Sequence, residues 1–244
     1  MQLKYRLTEE IKKVCGITLH RIEALTDFSD VMAGDKGGWV EREENLAHMG
    51  NAWVYGDAQV YGNAWVCGNA WVGGDAKICD NAQVRGDAQV YGNARVYGDA
   101  QVYGYARVRG NTWVCDNAQV HDYVQVYGDA CVCGNARVYG EAQVYGNAQV
   151  HGDAQVYGYA QIYGDADIYD IARVCGDADY IVFKNWWSSG RYFTWTRYNN
   201  MWRVGCFYGT GEELIKKAYA DSEKSGKEYE RVVKYVESIL AEEK

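Results

Sequence analysis

From Asn51 the chain runs as a six-residue pattern, NAWVYG DAQVYG NAWVCG NAWVGG DAKICD NAQVRG, and keeps its register without insertion or deletion over residues 51–179. Every sixth residue over 54–174 is Val or Ile, which makes 21 hexapeptides. Two positions earlier stands Ala, with exceptions such as Thr112 and Val124, and a bulky residue such as Gln, Trp or Arg lies between. This is strand alternation: Ala and Val project to one side, and the intervening residue and the following Tyr, Cys, His or Arg project to the other. Gly and then Asp or Asn come next, residues that tolerate positive φ, so a corner is expected after every strand. One strand and one turn cannot stand alone, but three sides of six residues close an 18-residue triangular coil, and 21 hexapeptides give seven coils. Stacked at about 4.8 Å, they predict a prism roughly 34 Å long. Its interior is narrow, which suits small and β-branched side chains, and each buried Val or Ile contributes about 1.5–3 kcal/mol against the ordering entropy.

Such a stack exposes open edges that would pair with other chains unless covered. Residues 1–50 are expected to cap one end, with a hairpin around Cys15 and Gly16, a Gly-rich turn at 34–38, and entry into the repeat at 45–50. Residues 180–244 are expected to form a small α+β module. Three antiparallel strands are placed at 180–186, 191–198 and 201–208, joined by Ser188-Ser189-Gly190 and Asn199-Asn200. Two helices follow, because Thr210 with Glu213 and Ser225 with Glu228 have capping-box spacing. Tyr229, Val232, Val233, Val236 and Ile239 share a helical face that should dock on the sheet.

Composition agrees with a repeat array: the 244 residues hold no proline, 28 glycines and 22 tyrosines. No segment approaches the roughly 18–20 apolar residues of a membrane span. Residues 1–50 carry neither a basic start followed by an apolar run nor a small-residue cleavage site. A cytoplasmic protein with no membrane partner is therefore expected. The eight cysteines are expected as free thiols, since a long chain with a continuous core needs no disulfide framework. Residues 51–180 hold 7 basic and 15 acidic groups, so the repeat accounts for the whole net charge of −8. An acidic rod repels nucleic acid, whose phosphates need clustered Lys and Arg.

The aliphatic residue followed four positions later by a small one, as in Val54 with Ala58 and Val60 with Ala64, resembles the pattern of hexapeptide-repeat proteins, over more than half the chain. That resemblance implies an all-β repeat fold, the left-handed parallel β-helix; the left hand comes from it alone, since the general crossover rule gives the opposite hand. The segment LHRIEALTDFSDVMAGDKGGWVE at 19–41 and the aromatic C-terminal segment are similar to those of the YdcK-like proteins of bacteria and phages. Members carry a transferase label that reflects the fold rather than an activity. The phage connection implies a cytoplasmic binder of a host protein, such as an inhibitor of a defence-system component, located in the host cell if phage-encoded.

Candidate chemistry is sparse. Hexapeptide acyltransferases use a histidine in a cleft between the subunits of a trimer, usually beside a loop projecting from the helix. Here only His20, His48, His121 and His151 are present, and no loop interrupts the repeat. His121 and His151 fall on different faces because their separation of 30 is not a multiple of 18, so no catalytic residue is assigned. Cys115 and Cys133 stack at a separation of 18 with Cys131 on the same face. The trio could take a soft metal or form a disulfide, but small side chains tolerated at outward positions are the preferred reading, because zinc sites recruit four ligands and no nearby histidine completes this one. No metal and no cofactor is therefore expected. Gly209-Thr210-Gly211 could hold an anion at a helix start, but Thr210 is explained as a cap.

The outward columns say more. Gln125, Gln143 and Gln161 stack beside Tyr127, Tyr145 and Tyr163; Gln83, Gln101 and Gln119 stack on another face; Trp53 lies over Trp71. Identical neighbours of this kind form ladders that stabilise the coils. Large exposed aromatic residues also mark interfaces. The corner column Tyr105, Tyr123, Glu141 and Tyr159 departs from the Asp/Asn rule, which points to contact with a partner or another subunit. In the C-terminal module, Arg191, Trp195, Arg197, Trp202 and Arg203 interleave charge and rings, the pattern of a nucleic-acid surface or of a sheet with one packed face. The expected function is non-enzymatic protein binding or scaffolding. A homo-oligomer, dimer or trimer, would form through an outer face or the C-terminal module. The alternatives are a trimeric acyltransferase-like enzyme and an acidic nucleic-acid mimic.

Overall fold

A computed structural model describes residues 3–185 and 190–242. Within the repeat, strands pair in parallel at a step of 18: Trp53 with Trp71 and Val54 with Val72, then Val72 with Val90 and Val90 with Val108. Three parallel ladders result, two of seven strands and a third of ten that includes the N-terminal strands. The inward Ala and Val side chains are fully buried in one continuous column. This is a parallel β-solenoid.

The coil count exceeds the expected seven, because the N-terminal segment supplies a further coil. Strand β3 (Lys36–Val40) pairs in parallel with the repeat, Trp39 with Gln59 and Val40 with Val60, and Leu46 bridges to Val66. These steps are 20 residues, not 18, so periodicity alone passes over them. The two extra residues sit between Leu46 and Val54. Coils therefore begin at Val40, giving about eight turns. The Gly-rich segment likewise divides. Gly34 turns the chain at φ +93°, but Gly37 and Gly38 lie inside β3, where a Cβ would stand 2.6 Å from the Trp53 ring and 2.7 Å from Val54 Cγ1.

Corners also differ from expectation. Positive φ belongs to the first corner residue, Gly at most corners and Asp80, Asp116, Asp122 or Asp170 at four. Three of these aspartates accept a backbone N–H from the coil above, Gly98, Gly134 and Gly140 respectively, at 3.0–3.1 Å. The second position needs no left-handed backbone. There Asn Nδ2 donates to the Asn or Asp one coil on, as in Asn63 to Asn81 and Asn81 to Asp99 at 3.0 and 2.9 Å.

The ends close in complementary ways. On each side of the prism, amides bond to carbonyls of the following coil, for example Trp53 to Ala70, Tyr55 to Val72 and Asp57 to Gly74, each at 2.9 Å. Bonds in this direction leave carbonyls open at the first coil and amides open at the last. Donors meet the former: Lys4 Nζ reaches the Ala52 carbonyl at 2.7 Å and the Tyr5 hydroxyl reaches those of Glu43 and Leu46 at 2.8 Å, while Asn45 Nδ2 reaches up to the Ala64 carbonyl of the second coil at 2.8 Å. Acceptors meet the latter: Asp167 N donates to Thr194 Oγ1 at 3.0 Å, and Cys175 N to the Asp179 carboxylate at 2.7 Å. A hairpin of β1 (Tyr5–Val14) and β2 (Ile17–Ala24) then extends one ladder past β3 and covers Trp53.

The C-terminal sheet has four antiparallel strands rather than three: Tyr180–Lys184, Tyr192–Thr196, Met201–Val204 and Phe207–Gly209. A turn at Gly205, with φ +57°, splits the third expected strand. The turn placed at Ser188-Ser189 and the strand end at Trp186 lie outside the described residues. Helix α1 (Gly211–Asp221) starts at the Thr210–Glu213 capping box. Helix α2 (Glu223–Glu242) starts three residues earlier than its spacing predicts, because Ser222 and not Ser225 caps it: Ser225 N donates to Ser222 Oγ at 3.1 Å. Val233 and Val236 are buried against Phe193, Trp195, Trp202 and Val204, with Tyr229 and Val232 packed alongside.

Candidate functional site

Residues 105–163 build one face of the prism from three parallel columns. The first is the corner column Tyr105, Tyr123, Glu141 and Tyr159; the second is Arg107, Gln125, Gln143 and Gln161; the third is Arg109, Tyr127, Tyr145 and Tyr163. Strand alternation sets the second and third on the same side, and the 18-residue step stacks each type above itself. The corner tyrosines are the most open aromatic residues of the prism, Tyr105 at 53 %, Tyr123 at 61 % and Tyr159 at 75 % relative exposure. Tyr105 and Tyr123 stack at 5.0 Å and 3°. Tyr127, Tyr145 and Tyr163 form a second stack at 4.9 and 5.5 Å.

Between the two tyrosine columns, Tyr105, Arg107, Tyr123, Gln125, Glu141 and Gln143 line a shallow groove of about 510 Å³. Its floor is polar. The glutamine carbonyls take donors from diagonal neighbours, Tyr127 Oη to Gln143 Oε1 at 3.3 Å and Tyr145 Oη to Gln161 Oε1 at 3.4 Å, in place of the expected amide-to-amide ladder. Mutual burial pushes the Tyr145 phenol up, helped by the neighbouring Tyr127 and Tyr163. A second hollow of about 460 Å³, lined by Tyr163, Asp165, Asp177, Tyr180 and Tyr192, continues the face onto the C-terminal module. Sequence columns found the tyrosines; the second hollow needed the fold.

Other expected contact residues lie elsewhere. Trp53 is 2 % exposed, held edge-on by Phe28 at 5.4 Å and Tyr5 at 6.3 Å, and so offers no outer surface. Trp71 is half-buried and meets Tyr55 edge-on at 5.7 Å. The interleaved Arg and Trp of the C-terminal module do not share a face. Trp195 and Trp202 pair across the sheet and are buried under the helices, whereas Arg203 and Thr194 alternate to the opposite side, against the prism. Arg197 Nε donates to the Ala178 carbonyl at 3.0 Å, and the Arg191 side chain lies over the Gly205 turn. Trp195 and Trp202 thus lie inside the module, apart from the three arginines.

The histidines of the repeat are engaged. His121 is stacked between Tyr103 at 4.7 Å and Tyr139 at 5.4 Å, with Nδ1 3.1 Å from Asp122. His151 stands one coil above Cys133, a position the 18-residue step gives and the sequence reading passed over. Its Nε2 turns instead to Asp167 Oδ1 at 2.5 Å, while Arg203 Nε donates to Asp167 Oδ2 at 3.0 Å. Burial works to raise the Asp167 carboxyl, but the hydrogen bonds from His151 and Arg203 outweigh it and hold the group below the usual carboxylate range. With Tyr208 Oη donating to Asp170 at 2.7 Å and Tyr180 Oη to the Gln161 carbonyl at 2.7 Å, this node fixes the module to the last coils. All eight cysteines are free. Among the described residues, one group of side chains is suited to a metal, the thiols of Cys115, Cys131 and Cys133, and no helix is long and apolar enough to cross a membrane.

Unbroken hexapeptide coils, closed at both ends and carrying an exposed tyrosine face, define a hexapeptide-repeat parallel β-solenoid. The YdcK β-solenoid repeat matches at residues 58–74, 88–104 and 142–158. A 60-residue stretch, 21 % of this chain, is 43 % identical to the Uncharacterized acetyltransferase YdcK of Escherichia coli (strain K12) and spans 18 % of that protein's length. The solenoid is YdcK-like.

Proposed function

We propose that this chain is a non-enzymatic protein-binding scaffold whose contact surface is the face bounded by Tyr105, Tyr123 and Tyr159 on one side and Tyr127, Tyr145 and Tyr163 on the other. One observation carries the reading: exposed tyrosines occupy corner positions where other coils hold Asn or Asp. Because the second corner residue needs no positive φ, bulk there costs the turn little. What it forgoes is the Asn-to-Asp ladder, which breaks off at Asp87 below Tyr105. Stiff amphipathic rings add contact area at small entropic cost, and the glutamine floor supplies polar partners. The partner is a protein, or a second copy of this chain meeting the same face. The finer reading, a cytoplasmic, phage-encoded inhibitor of a host defence component, rests on the resemblance to repeat proteins of bacteria and phages alone. The acetyltransferase in the relative's name finds here His121 and His151 committed to stacks and carboxylates.

The test compares the protein with the triple variant Tyr105→Asn, Tyr123→Asn, Tyr159→Asn, which restores the usual corner residue. The variant should melt as the parent does, yet lose the oligomeric mass or the bacterial protein that the parent retains in native mass spectrometry and affinity capture. Unchanged mass and unchanged capture would sink the proposal, and so would a trimer that binds acyl-CoA tightly.

A further inference from the structure

On a different side of the prism from the tyrosine face, Cys115, Cys131 and Cys133 bring three sulfurs within 4.8 Å of one another. Two come from one strand and one from the coil below. Cys131 and Cys133 flank the inward Val132, so both side chains point outward, and Cys115 sits in register under Cys133. The backbone holds this arrangement: Cys115 N donates to the Val132 carbonyl, Cys131 N to that of Ala148 and Cys133 N to that of Val150, at 2.9–3.0 Å. Cys115 is buried and the other two are half-buried, so the cluster is formed before any ligand arrives yet remains reachable from one side.

An ion with metal–sulfur bonds of about 2.3 Å in a trigonal plane needs sulfurs about 4 Å apart, within the span these three already occupy. Trp113 beside Cys115 and Tyr97 one coil below it meet edge-on at 6.3 Å and form an aromatic border. The coil above contributes His151, whose ring is turned to Asp167. A tetrahedral ion would look there for its fourth donor. Soft thiolate ligands select copper(I) and zinc among common metals, and zinc in structural sites takes four ligands, whereas copper(I) accepts three.

We infer that Cys115, Cys131 and Cys133 form a three-sulfur site for a soft metal ion, filled by copper(I) in trigonal coordination. Binding makes three sulfur–copper bonds and releases the displaced thiol protons to solvent. There is no change of oxidation state.

The experiment is anaerobic titration of the full chain with copper(I) held by a competing chelator. The expected result is one equivalent bound, with thiolate-to-copper charge-transfer absorption. Cys115→Ser, Cys131→Ser and Cys133→Ser should each weaken uptake by at least about 100-fold, the upper end of what losing even an outer-shell partner costs. The combined Cys15→Ser, Cys175→Ser, Cys206→Ser variant should bind as the parent. X-ray absorption of the loaded parent, which does not depend on any variant folding, should show three sulfurs and no nitrogen. Copper that follows the exposed thiols, two-sulfur or nitrogen-containing coordination, or zinc held at these thiols as tightly as copper(I) would each overturn the site.

Discussion

Replacing Asp167 by Asn removes one charge from the joint between the prism and the C-terminal module while keeping the side chain's size and one acceptor oxygen. In the parent, one carboxylate oxygen meets His151 Nε2 and the other meets Arg203 Nε, with the three side chains about a fifth exposed. A hydrogen bond to a charged group is worth roughly 1.5–3 kcal/mol, and the amide must turn an N–H toward one of two donors. Partial exposure argues for less than the full sum, so the expected loss is about 2–4 kcal/mol, or roughly 30- to 700-fold in the equilibrium for local opening. Amide exchange of the strands Tyr192–Thr196 and Met201–Val204 at neutral pH should quicken by that factor, while coils near Val90 keep their protection. The pH dependence is a second signature. Because the folded pKa of Asp167 lies below its unfolded value, its contribution is fully present above about pH 4 and fades as pH falls through the lower folded value. The parent should therefore open more often on acidification, and the variant should open more often from the start and lack that step. Equal exchange in the two proteins at neutral pH, or an undiminished acid response in the variant, would refute the assignment of Asp167 as the node.

Two further expectations follow from buried polar groups. The Thr112 hydroxyl is fully buried at an inward alanine position, with no partner among the described residues. Thr112→Val should remove a cost of roughly 1–3 kcal/mol and raise the thermal midpoint by about 2–6 °C, and an unchanged or lowered midpoint would show that the hydroxyl is satisfied. Burial lowers the Lys4 amine from 10.5 to about 8. Acylation followed by mass spectrometry should find Lys4 titrating far below the other lysines, and stability should rise between those two pH values, where the unfolded chain binds the extra proton. Ordinary Lys4 reactivity would contradict its burial against the Ala52 carbonyl.

Period six and its multiple of 18 dictate the ladders, the buried Val and Ala column and the stacked tyrosines, because each is a local repetition of one strand and one corner. Departures from strict period escaped. Val40 and Leu46 are coil residues at a step of 20, and nothing local marks the extra pair. Trp53 occupies an outward position by alternation, and only the folding back of Tyr5 and Phe28 buries it. The fate of Trp195 and Trp202 was within reach, since period two separates them from Thr194 and Arg203. That Arg203 meets Asp167 was not, because it depends on how two distant segments dock. For the tyrosine face the columns were legible and the groove between them was not, since its depth comes from the side-chain stacking.

The opposed closures, donors at the first coil and acceptors at the last, have a consequence for how such a molecule can vary. Among the described residues the caps pack on the end coils, so duplicating 18 residues in the middle would add one storey of surface and leave both closures intact. Duplicating six would instead rotate everything beyond by a third of a revolution, carrying the tyrosine columns to the next face. Length and phase are thus separately adjustable quantities, set by counting residues, and the spacing between a docking face and a terminal module can be tuned without redesigning either.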